Sequence, residues 1–482
     1  LHKEYRRQRQ MCIRDRYRHQ PSYVAERKRN SVNFNSTDDL PLSGIRALEL
    51  SEIWAGPYCG CLLSDMGAEV IKIESIQRIA RGPINPSPDG MYPEQDPGNH
   101  PWNRQANFNS TNRNKKGLTL DLKTRLGVEA FSDLVKVSDI VFCNYARTVM
   151  EGFGLGYEQV KSIKPDIIYL LMPGYGNTGP YKNYRSMGMA IDAITGHSYL
   201  RGYPDMDHTS NSLVHHPDAA AAVNATLALS TALVHRELTG EGQFIDMSQA
   251  ESFMTHMGEM FIEYQMSGIP RDRRGNRHPG YAPQGAYKCE GEDNWIAISI
   301  TNEEQWNLFC EIIPLNLNKD PRFSTVEGRI KNHDDLDSVI TTWTSVRERY
   351  DVMNALQAKG IPSGVVLNCG PDTYADPHLN EREFFQIVEH PEAGIFPMSG
   401  PVLRFESSYG SVTHNPSPTL GQHNNYILED ILGYSKSKIE LMEHMEIIGT
   451  VPLPGADLGG SRRAAKEQAR QKNTTLNNAE NE

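Results

Sequence analysis

The stretch "GIRALELSEIWAGPYCGCLLSDMGAEVIKIE" (44–74) decides the fold. It opens with a short apolar run, GIRALEL (44–50), and closes with another, AEVIKIE (68–74), both with the length and composition of a buried strand. Between them, Pro57 suits the first turn of a helix and Gly67 suits its end. The stretch predicts a βαβ unit, in which two parallel strands are joined by a right-handed crossover.

Two further apolar runs follow, DIVFCNY (139–145) and DIIYLLMPGY (166–175), with segments of helical composition between them. Strands that are buried on both faces of a parallel sheet read as nearly continuous apolar runs of this kind. Segment 218–237 has the alanine and leucine content and the length of a long buried helix. The pattern predicts an α/β large domain.

The composition of the chain changes in MSGIPRDRRGNRHPGYAPQG (266–285). This segment is rich in Gly, Pro and Arg and has no hydrophobic periodicity, which is typical of a linker. Beyond it, shorter strand and helix patterns predict a smaller α+β domain. The predicted segments are a disordered or artefactual basic extension (1–38), the N-terminal part of a large domain (39–265), the linker (266–285), a small domain (286–374), a C-terminal return to the large domain (375–450) and a disordered tail (455–482).

Charge and hydropathy exclude two classes of partner. The net charge is −11, although the first 30 residues carry ten Lys or Arg side chains against three acids. An acidic body disfavours binding to a nucleic-acid backbone. No run of 18 or more residues is entirely apolar, so we expect neither a membrane span nor a membrane partner.

The cysteines and histidines predict no metal centre. The seven cysteines are scattered and form no C-x-x-C pair, which favours a reduced, cytoplasmic protein without structural zinc. His208, His215 and His216 lie close in sequence but lack partners at the spacing of a zinc site.

One glycine-rich segment raises an alternative function. GYGNTG (174–179) matches the glycine pattern of a dinucleotide-binding loop and follows a strand. Pro180 and the residues after it do not open a helix, and no acid ends a strand about 20 residues further on. We interpret the segment as a turn that shapes a pocket, with a nicotinamide site as the weaker reading.

Three loops carry candidate ligand contacts. SEIWAGPYCG (51–60) opens a helix whose backbone N–H groups can bind an anion, although its Gly-Pro pair can equally make only the turn. The cations of NRNKKG (112–117) form a turn, where neighbouring cations are usually a solvated face. Asn144, Tyr145 and Arg147 end a buried strand, the place at which open α/β sheets bind ligands.

Together these pieces resemble the class III CoA-transferases, the family of formyl-CoA transferase, carnitine CoA-transferase and α-methylacyl-CoA racemase. The resemblance runs from about Leu42 to Gly433. It implies a Rossmann-like large domain built from N- and C-terminal parts of the chain, a smaller α+β domain, and an interlocked homodimer. The motifs that carry it, in the family's order, are LSGIRALELSEIWAGPYCGCLLSDMGAEVIKIE, NRNKKGLTLDL, GYGNTGPY, HRELTGEGQFIDMSQAE, RGNRHPGYAPQGAYKC and LGQHNNYILEDILG.

The resemblance also implies the ligands. Coenzyme A enters as acyl-CoA, a substrate rather than a permanently bound cofactor, and the second substrate is a small carboxylic acid. CoA lies against the loop after the first strand and near the CNYAR turn, and a lysine reaches its phosphates. The implied contacts are Ile53, Trp54, Ala55, Lys115, Asn144, Tyr145 and Arg147.

The implied chemistry needs a carboxylate nucleophile. In the best-known members an aspartate lies eight residues before the glycine that corresponds to Gly196, and here that place holds Gly188. Asp192 follows four residues later, on the same face if the segment is helical. We therefore expect Asp192 to present its carboxylate to the same pocket, with Asp218 and Asp205 as weaker candidates.

The expected function is the transfer of CoA from an acyl-CoA thioester to a free carboxylic acid, through a carboxylate-bound acyl anhydride and an enzyme-CoA thioester. Two alternatives stay open. An acyl-CoA racemase or epimerase would need a histidine across the pocket from Asp192, and His197, five residues on, is expected to point away from it. A catalytically silent CoA-binding scaffold would account for Gly188.

Overall fold

The structure, a computed structural model, describes residues 40–81, 91–210, 215–400, 402–403 and 414–456. The predicted basic extension (1–38) and nearly all of the predicted tail (455–482) lie outside the described residues.

A six-stranded sheet forms the centre of the larger unit. Its strands are β1 (Arg46–Leu50), β2 (Glu69–Glu74), β3 (Lys116–Thr119), β4 (Ile140–Cys143), β5 (Ile168–Leu171) and β6 (Phe244–Asp246). All neighbouring pairs are parallel, and the order across the sheet is β3-β2-β1-β4-β5-β6. Starting from β1, the chain first adds β2 and β3 on one side of the sheet and later adds β4, β5 and β6 on the other side. The loops after β1 and β4 therefore diverge and open a crevice at the carboxyl ends of the strands.

Helices cover both faces of this sheet and build much of the rest of the chain. Those in the described residues are α1 (Ala55–Asp65), α2 (Pro101–Arg104), α3 (Ala106–Thr111), α4 (Arg125–Lys136), α5 (Thr148–Gly152), α6 (Tyr157–Ile163), α7 (Gly188–Ile194), α8 (His197–Leu200), α9 (His216–Thr239), α10 (Gln249–Met254), α11 (Gly258–Ser267), α12 (Glu303–Ile312), α13 (Val326–Lys331), α14 (His333–Thr344), α15 (Arg349–Gln357), α16 (Pro371–Ala375), α17 (Pro377–Glu381) and α18 (Lys436–His444), with a π-helical turn at Tyr426–Ile431.

The predicted βαβ unit is confirmed as β1-α1-β2. The helix begins at Ala55, two residues before the proline expected in its first turn. Gly67 ends the connection with a φ of +99°, a conformation that glycine adopts without the steric cost of a Cβ. Strands β4 and β5 lie within the apolar runs predicted for them.

The two faces of the sheet bury separate apolar cores. On one face, α1 and α9 pack over Ala47 and Phe142. On the other, α4 and α6 pack with the C-terminal part of the chain, which contributes Ile427 and Met442. The distal part of the chain thus completes the larger unit.

A smaller unit follows in sequence. It contains the antiparallel strands β7 (Gln284–Lys288), β8 (Trp295–Ser299) and β9 (Ser363–Val366), and its core joins α12, α14 and α15. A hairpin of β10 (Phe385–His390) and β11 (Gly394–Ser399) leads back toward the large sheet. The predicted fold class, an α/β large domain with a smaller α+β domain, is confirmed. The residue boundaries of the domains stay predictions.

By length and composition, α9 is the one helix of the described residues that is apolar enough to span a membrane. One side of it is buried in the core under the sheet, through Ala221, Ala225 and Leu229 among others. Its first turn carries Asp218, at the edge of the crevice.

Candidate active site

A cleft of about 1140 Å³ opens at the carboxyl ends of the parallel strands. It is lined by the loops after β1, β4 and β5, by the loops after β2 and β3, and by the first half of α7. This is the position at which doubly wound sheets bind their ligands. The contributing segments include 51–53, 144–146, 173–174 and 184–191.

The loops after β1 and β4 are tied together by one side chain. Asn144 accepts a hydrogen bond from the Glu52 N–H at 2.9 Å through Oδ1, and its Nδ2 donates to the Glu52 carbonyl at 2.8 Å. The next residue, Ile53, has a φ of +68° and is 49% exposed in the cleft. Tyr145 also lines the cleft, and burial raises its pKa well above the usual value. The predicted contacts Ile53, Asn144 and Tyr145 are therefore brought together.

The next two predicted contacts lie behind this lining. The indole of Trp54 stacks on the imidazole of His215, with ring centroids 5.8 Å apart and planes 8° apart. Ala55 is buried, and its backbone N–H is hydrogen-bonded to the Asp218 carboxylate. His215 lines the cleft, so the His215 ring lies between Trp54 and the cleft.

Lys115, which the resemblance assigns to the CoA phosphates, is buried away from the cleft lining. Its Nζ lies 2.7 Å from Oε2 of Glu49, with both side chains fully buried, and it donates to the Pro57 carbonyl and to Oδ1 of Asn112 at 2.7 and 2.8 Å. Burial lowers the pKa of Lys115 to about 8, although Glu49 acts in the opposite direction. Lys115 does not line the cleft, because it lies behind strand β1 as the partner of a buried acid.

Other cations stand at the cleft instead. Arg147 does not line it and lies 3.6 Å from Glu151 in an ion pair. Arg78 lines the cleft and is held by both oxygens of Glu52. Lys123 and Arg185 also line it, and neither forms an ion pair with any residue that the structure describes. We did not anticipate these three from the sequence, since none lies in a recognisable pattern.

The structure also contradicts the expectation that Asp192 faces the same pocket as position 188. Its Oδ1 accepts from Nδ1 of His197 at 2.6 Å, and its Oδ2 accepts from Ser198 and, at 3.2 Å, from Arg201. Burial raises the pKa of Asp192, but the hydrogen bonds from Ser198 and His197 outweigh it and hold the pKa below its usual range. Asp192 does not line the cleft, although its neighbour Ile191 does.

The expected orientation of His197 was wrong for a local reason. The helix ends after Ile194, and Gly196 has a φ of +86°. This left-handed residue reverses the chain, so the side chain of His197 turns back onto Asp192 instead of continuing around a helix.

A different acid faces the cleft. Asp218 lines it, is 6% exposed, and its Oδ2 has no hydrogen-bond partner among the described residues. A Cβ added at Gly188 would stand 3.4 Å from the Asp218 Cγ and closer still to Oδ2. Burial raises the pKa of Asp218, and nearby His215 offsets this only in part. The third candidate, Asp205, is exposed and lies outside the cleft lining.

Within the described residues, no group of three or more His, Cys, Asp or Glu side chains is arranged to hold a metal ion.

Comparison with known proteins identifies the family. The model of CoA-transferase family III matches residues 42–424. Succinyl-CoA--D-citramalate CoA-transferase of Chloroflexus aurantiacus is 31% identical over 85% of this chain and 98% of its own length. Succinate--glutarate CoA-transferase of Agrobacterium fabrum is 29% identical over 81% and 96%. A CAIB/BAIF family protein from Brucella suis superposes with a TM-score of 0.70 at 29% identity, covering 82% of this chain and all of that one. The chain belongs to CoA-transferase family III.

Proposed function

We propose that this family III CoA-transferase moves CoA from an acyl-CoA thioester to a free carboxylic acid through covalent intermediates on an enzyme carboxylate. The observation that carries the proposal is a cleft at the switch point of the sheet that contains the buried carboxylate of Asp218, whose Oδ2 has no hydrogen-bond partner among the described residues. A carboxylate in such a site is suited to attack a thioester, because little water has to be removed from it.

The cleft lining supports a proposed placement of CoA. The loop at Ile53 and the loop at Asn144 and Tyr145 form one wall, as the family resemblance implies. Lys115 is buried with Glu49, so we propose that the CoA phosphates are bound by Lys123 and Arg185 instead. Both side chains are exposed at the cleft, where a cation can meet a phosphate without breaking an existing ion pair.

Small dicarboxylic acids are the proposed substrates. The two named relatives pair succinyl-CoA with D-citramalate and succinate with glutarate. We therefore propose that the donor and the acceptor of this enzyme are acids of the same class.

A homodimer is part of the proposal, on the ground of an uncovered apolar surface. Helix α11 has no buried residue, although it carries Phe261, Ile262 and Met266, which are 44%, 61% and 84% exposed. A surface of this kind marks an interaction site. We propose that a second copy of the chain covers it, in the interlocked arrangement that the resemblance implies.

The racemase alternative is less consistent with the structure. A racemase needs two groups on opposite sides of the carbon that loses its proton. His197 and Asp192 are bonded to each other and stand outside the cleft lining. They do not enclose a substrate carbon.

The test is a transfer assay without any assumption about the acceptor. Succinyl-CoA and a panel of mono- and dicarboxylic acids are incubated with the enzyme, and new acyl-CoA species are identified by mass spectrometry. We expect at least one new acyl-CoA to form, in an amount that matches the loss of succinyl-CoA. If only epimerised 2-methylacyl-CoA forms in a parallel reaction, the racemase is correct. CoA binding without any turnover would identify a silent scaffold.

The cytoplasmic location expected from the cysteines also stays a proposal. Cys59, Cys61, Cys143 and Cys289 are buried free thiols, as a reducing compartment allows. Cell fractionation tests whether the protein is cytoplasmic.

A further inference from the structure

Asp218 differs from every other acid near the cleft in how its carboxylate is used. Its Oδ2 is buried and accepts no hydrogen bond within the described part of the chain. An unpaired buried polar atom of this kind costs free energy and therefore calls for an explanation. Asp192, in contrast, is fully engaged by His197, Ser198 and Arg201.

The carboxylate of Asp218 lies directly against the glycine at 188. Oδ2 of Asp218 occupies space that a side chain at position 188 would need, since a Cβ built there approaches this oxygen more closely than real Cβ contacts do. Gly188 lines the cleft as well. The carboxylate thus enters the pocket from α9 at the place where a side chain from α7 would otherwise project.

The surroundings of Asp218 suit a reactive anion. It lies in the first turn of α9, a helix of 24 residues, where the helix dipole favours negative charge. The Ala55 N–H bonds the carboxylate, and Nδ1 of His215 lies 3.9 Å from Oδ2. Burial raises the pKa of Asp218, which increases its basicity once it is ionised.

We propose that Asp218 is the catalytic carboxylate of this enzyme, reaching from α9 into the space left open by Gly188. The assignment rests on the proposed function and specifies which residue performs it. It replaces Asp192, which the structure places in a separate hydrogen-bond network.

The proposed steps balance without any further reactant. An Asp218 oxygen attacks the thioester carbonyl, the C–S bond breaks, and CoA leaves as the thiolate, giving a mixed anhydride. The thiolate then attacks the Asp218 carbonyl carbon, and the donor acid leaves as a carboxylate. The acceptor carboxylate attacks the resulting aspartyl-CoA thioester and again releases thiolate. Attack of the thiolate on the acceptor acyl carbon forms the new acyl-CoA and restores Asp218.

The first experiment uses the unmodified enzyme. It is incubated with succinyl-CoA without acceptor, treated with borohydride or hydroxylamine, digested with trypsin and analysed by tandem mass spectrometry. Cleavage after Arg185, Arg201 and Arg236 separates the peptide of Asp192 from that of Asp218. Fragment ions separate Asp218 from Asp205, which lies in the same peptide. Label on Asp218 is expected, and label confined to either of the other two overturns the assignment.

The second experiment uses variants. Asp218→Asn is expected to lower kcat for transfer by at least about 10³-fold while CoA affinity stays within about threefold. Asp351→Asn, at an exposed position in the small unit, is the matched control and should retain full activity. Asp218→Ala combined with Gly188→Asp returns a carboxylate to the same space from α7 and should recover part of the lost activity.

The outcomes separate this assignment from the proposed function. An active wild type whose Asp218→Asn variant keeps most of its kcat overturns the role of Asp218 and leaves CoA transfer standing. A wild type that transfers CoA to no acid in the panel removes both. Should Asp218→Asn fail to fold, the label on the unmodified enzyme and the double variant still decide the question.

Discussion

The ammonium group of Lys115 lies 2.7 Å from Oε2 of Glu49, and neither side chain has any exposed surface. Lys72 Nζ lies 2.9 Å from the other oxygen of the same carboxylate. Burial opposes the charge of Glu49, but the two lysines outweigh it and hold its pKa below the usual value. One acid and two lysines therefore form a buried cluster beside the cleft, and Lys72 is its member in the cleft lining.

Lys115→Met is expected to lower the free energy of unfolding by about 3 kcal/mol, because loss of one partner leaves a buried charge less compensated. CoA affinity of the folded protein should change by less than about twofold, since Lys115 is not at the cleft. Chemical denaturation and calorimetry measure the two quantities. The double variant Lys115→Met/Glu49→Gln tests coupling of the pair. A stable Lys115→Met protein that has lost CoA binding would restore the phosphate role.

Lys123→Ala and Arg185→Ala are each expected to weaken CoA binding by about 5- to 10-fold, since each removes a charge-assisted contact at an exposed site. Lys136→Ala, with a side chain 60% exposed and outside the cleft lining, is the control for loss of a surface lysine. Calorimetry with CoA and with dephospho-CoA shows which cation meets the 3′-phosphate. Unchanged affinity in both variants would contradict the placement.

Asp192→Asn is expected to cost about 2 kcal/mol of stability, because Asp192 anchors His197, Ser198 and Arg201 around the turn after α7. Its kcat should fall far less than that of Asp218→Asn. Parallel thermal unfolding and transfer assays of the two variants make the comparison. A stable Asp192→Asn protein without activity would return the nucleophile to position 192.

The fold was predictable because it depends on local patterns. Apolar runs of four to six residues flanked by turn signals correspond to β1, β2, β4 and β5. The glycine at the end of the first helix behaves as its sequence position indicates. Such features need no knowledge of what packs against them.

The site was less predictable because it depends on contacts between distant segments. A run of cations does not reveal that Lys115 turns inward onto Glu49, 66 residues earlier. Helical spacing misplaced His197, since one left-handed glycine reverses the chain. The relation of Gly188 to Asp218 joins two helices and has no local signature.

The proposed dimer is expected to persist at nanomolar concentration, since α11 has no buried residue in the isolated chain. Ile262→Asp combined with Met266→Asp places two charges on the surface proposed to be covered and should shift the protein toward monomer. Val451→Asp, at a residue 52% exposed elsewhere, is the control. Sedimentation velocity measures the oligomeric state of the wild type and of both variants. A folded wild-type monomer at nanomolar concentration would contradict the proposed interface.

The stability of the enzyme is expected to fall steeply as the pH drops from about 6.5 to about 4. Burial lowers the pKa of His390, of His414 and of His423 to about 4 each. In the unfolded chain a histidine has a pKa of about 6.5, so between these values the unfolded state binds more protons than the folded state. Protons therefore favour unfolding in this window, and above it the three histidines are neutral in both states.

His414 allows this to be tested at one position. Its ring is fully buried beside Asp65 and Arg113, and neither ring nitrogen has a hydrogen-bond partner among the described residues. His414→Leu removes the proton uptake, so the slope of unfolding free energy against pH should decrease by up to about 1.4 kcal/mol per pH unit between pH 4.5 and 6. His444→Leu, at an exposed position, should leave the slope unchanged. Urea unfolding at a series of pH values measures it, and equal slopes for wild type and His414→Leu would show that His414 takes up its proton in the folded protein.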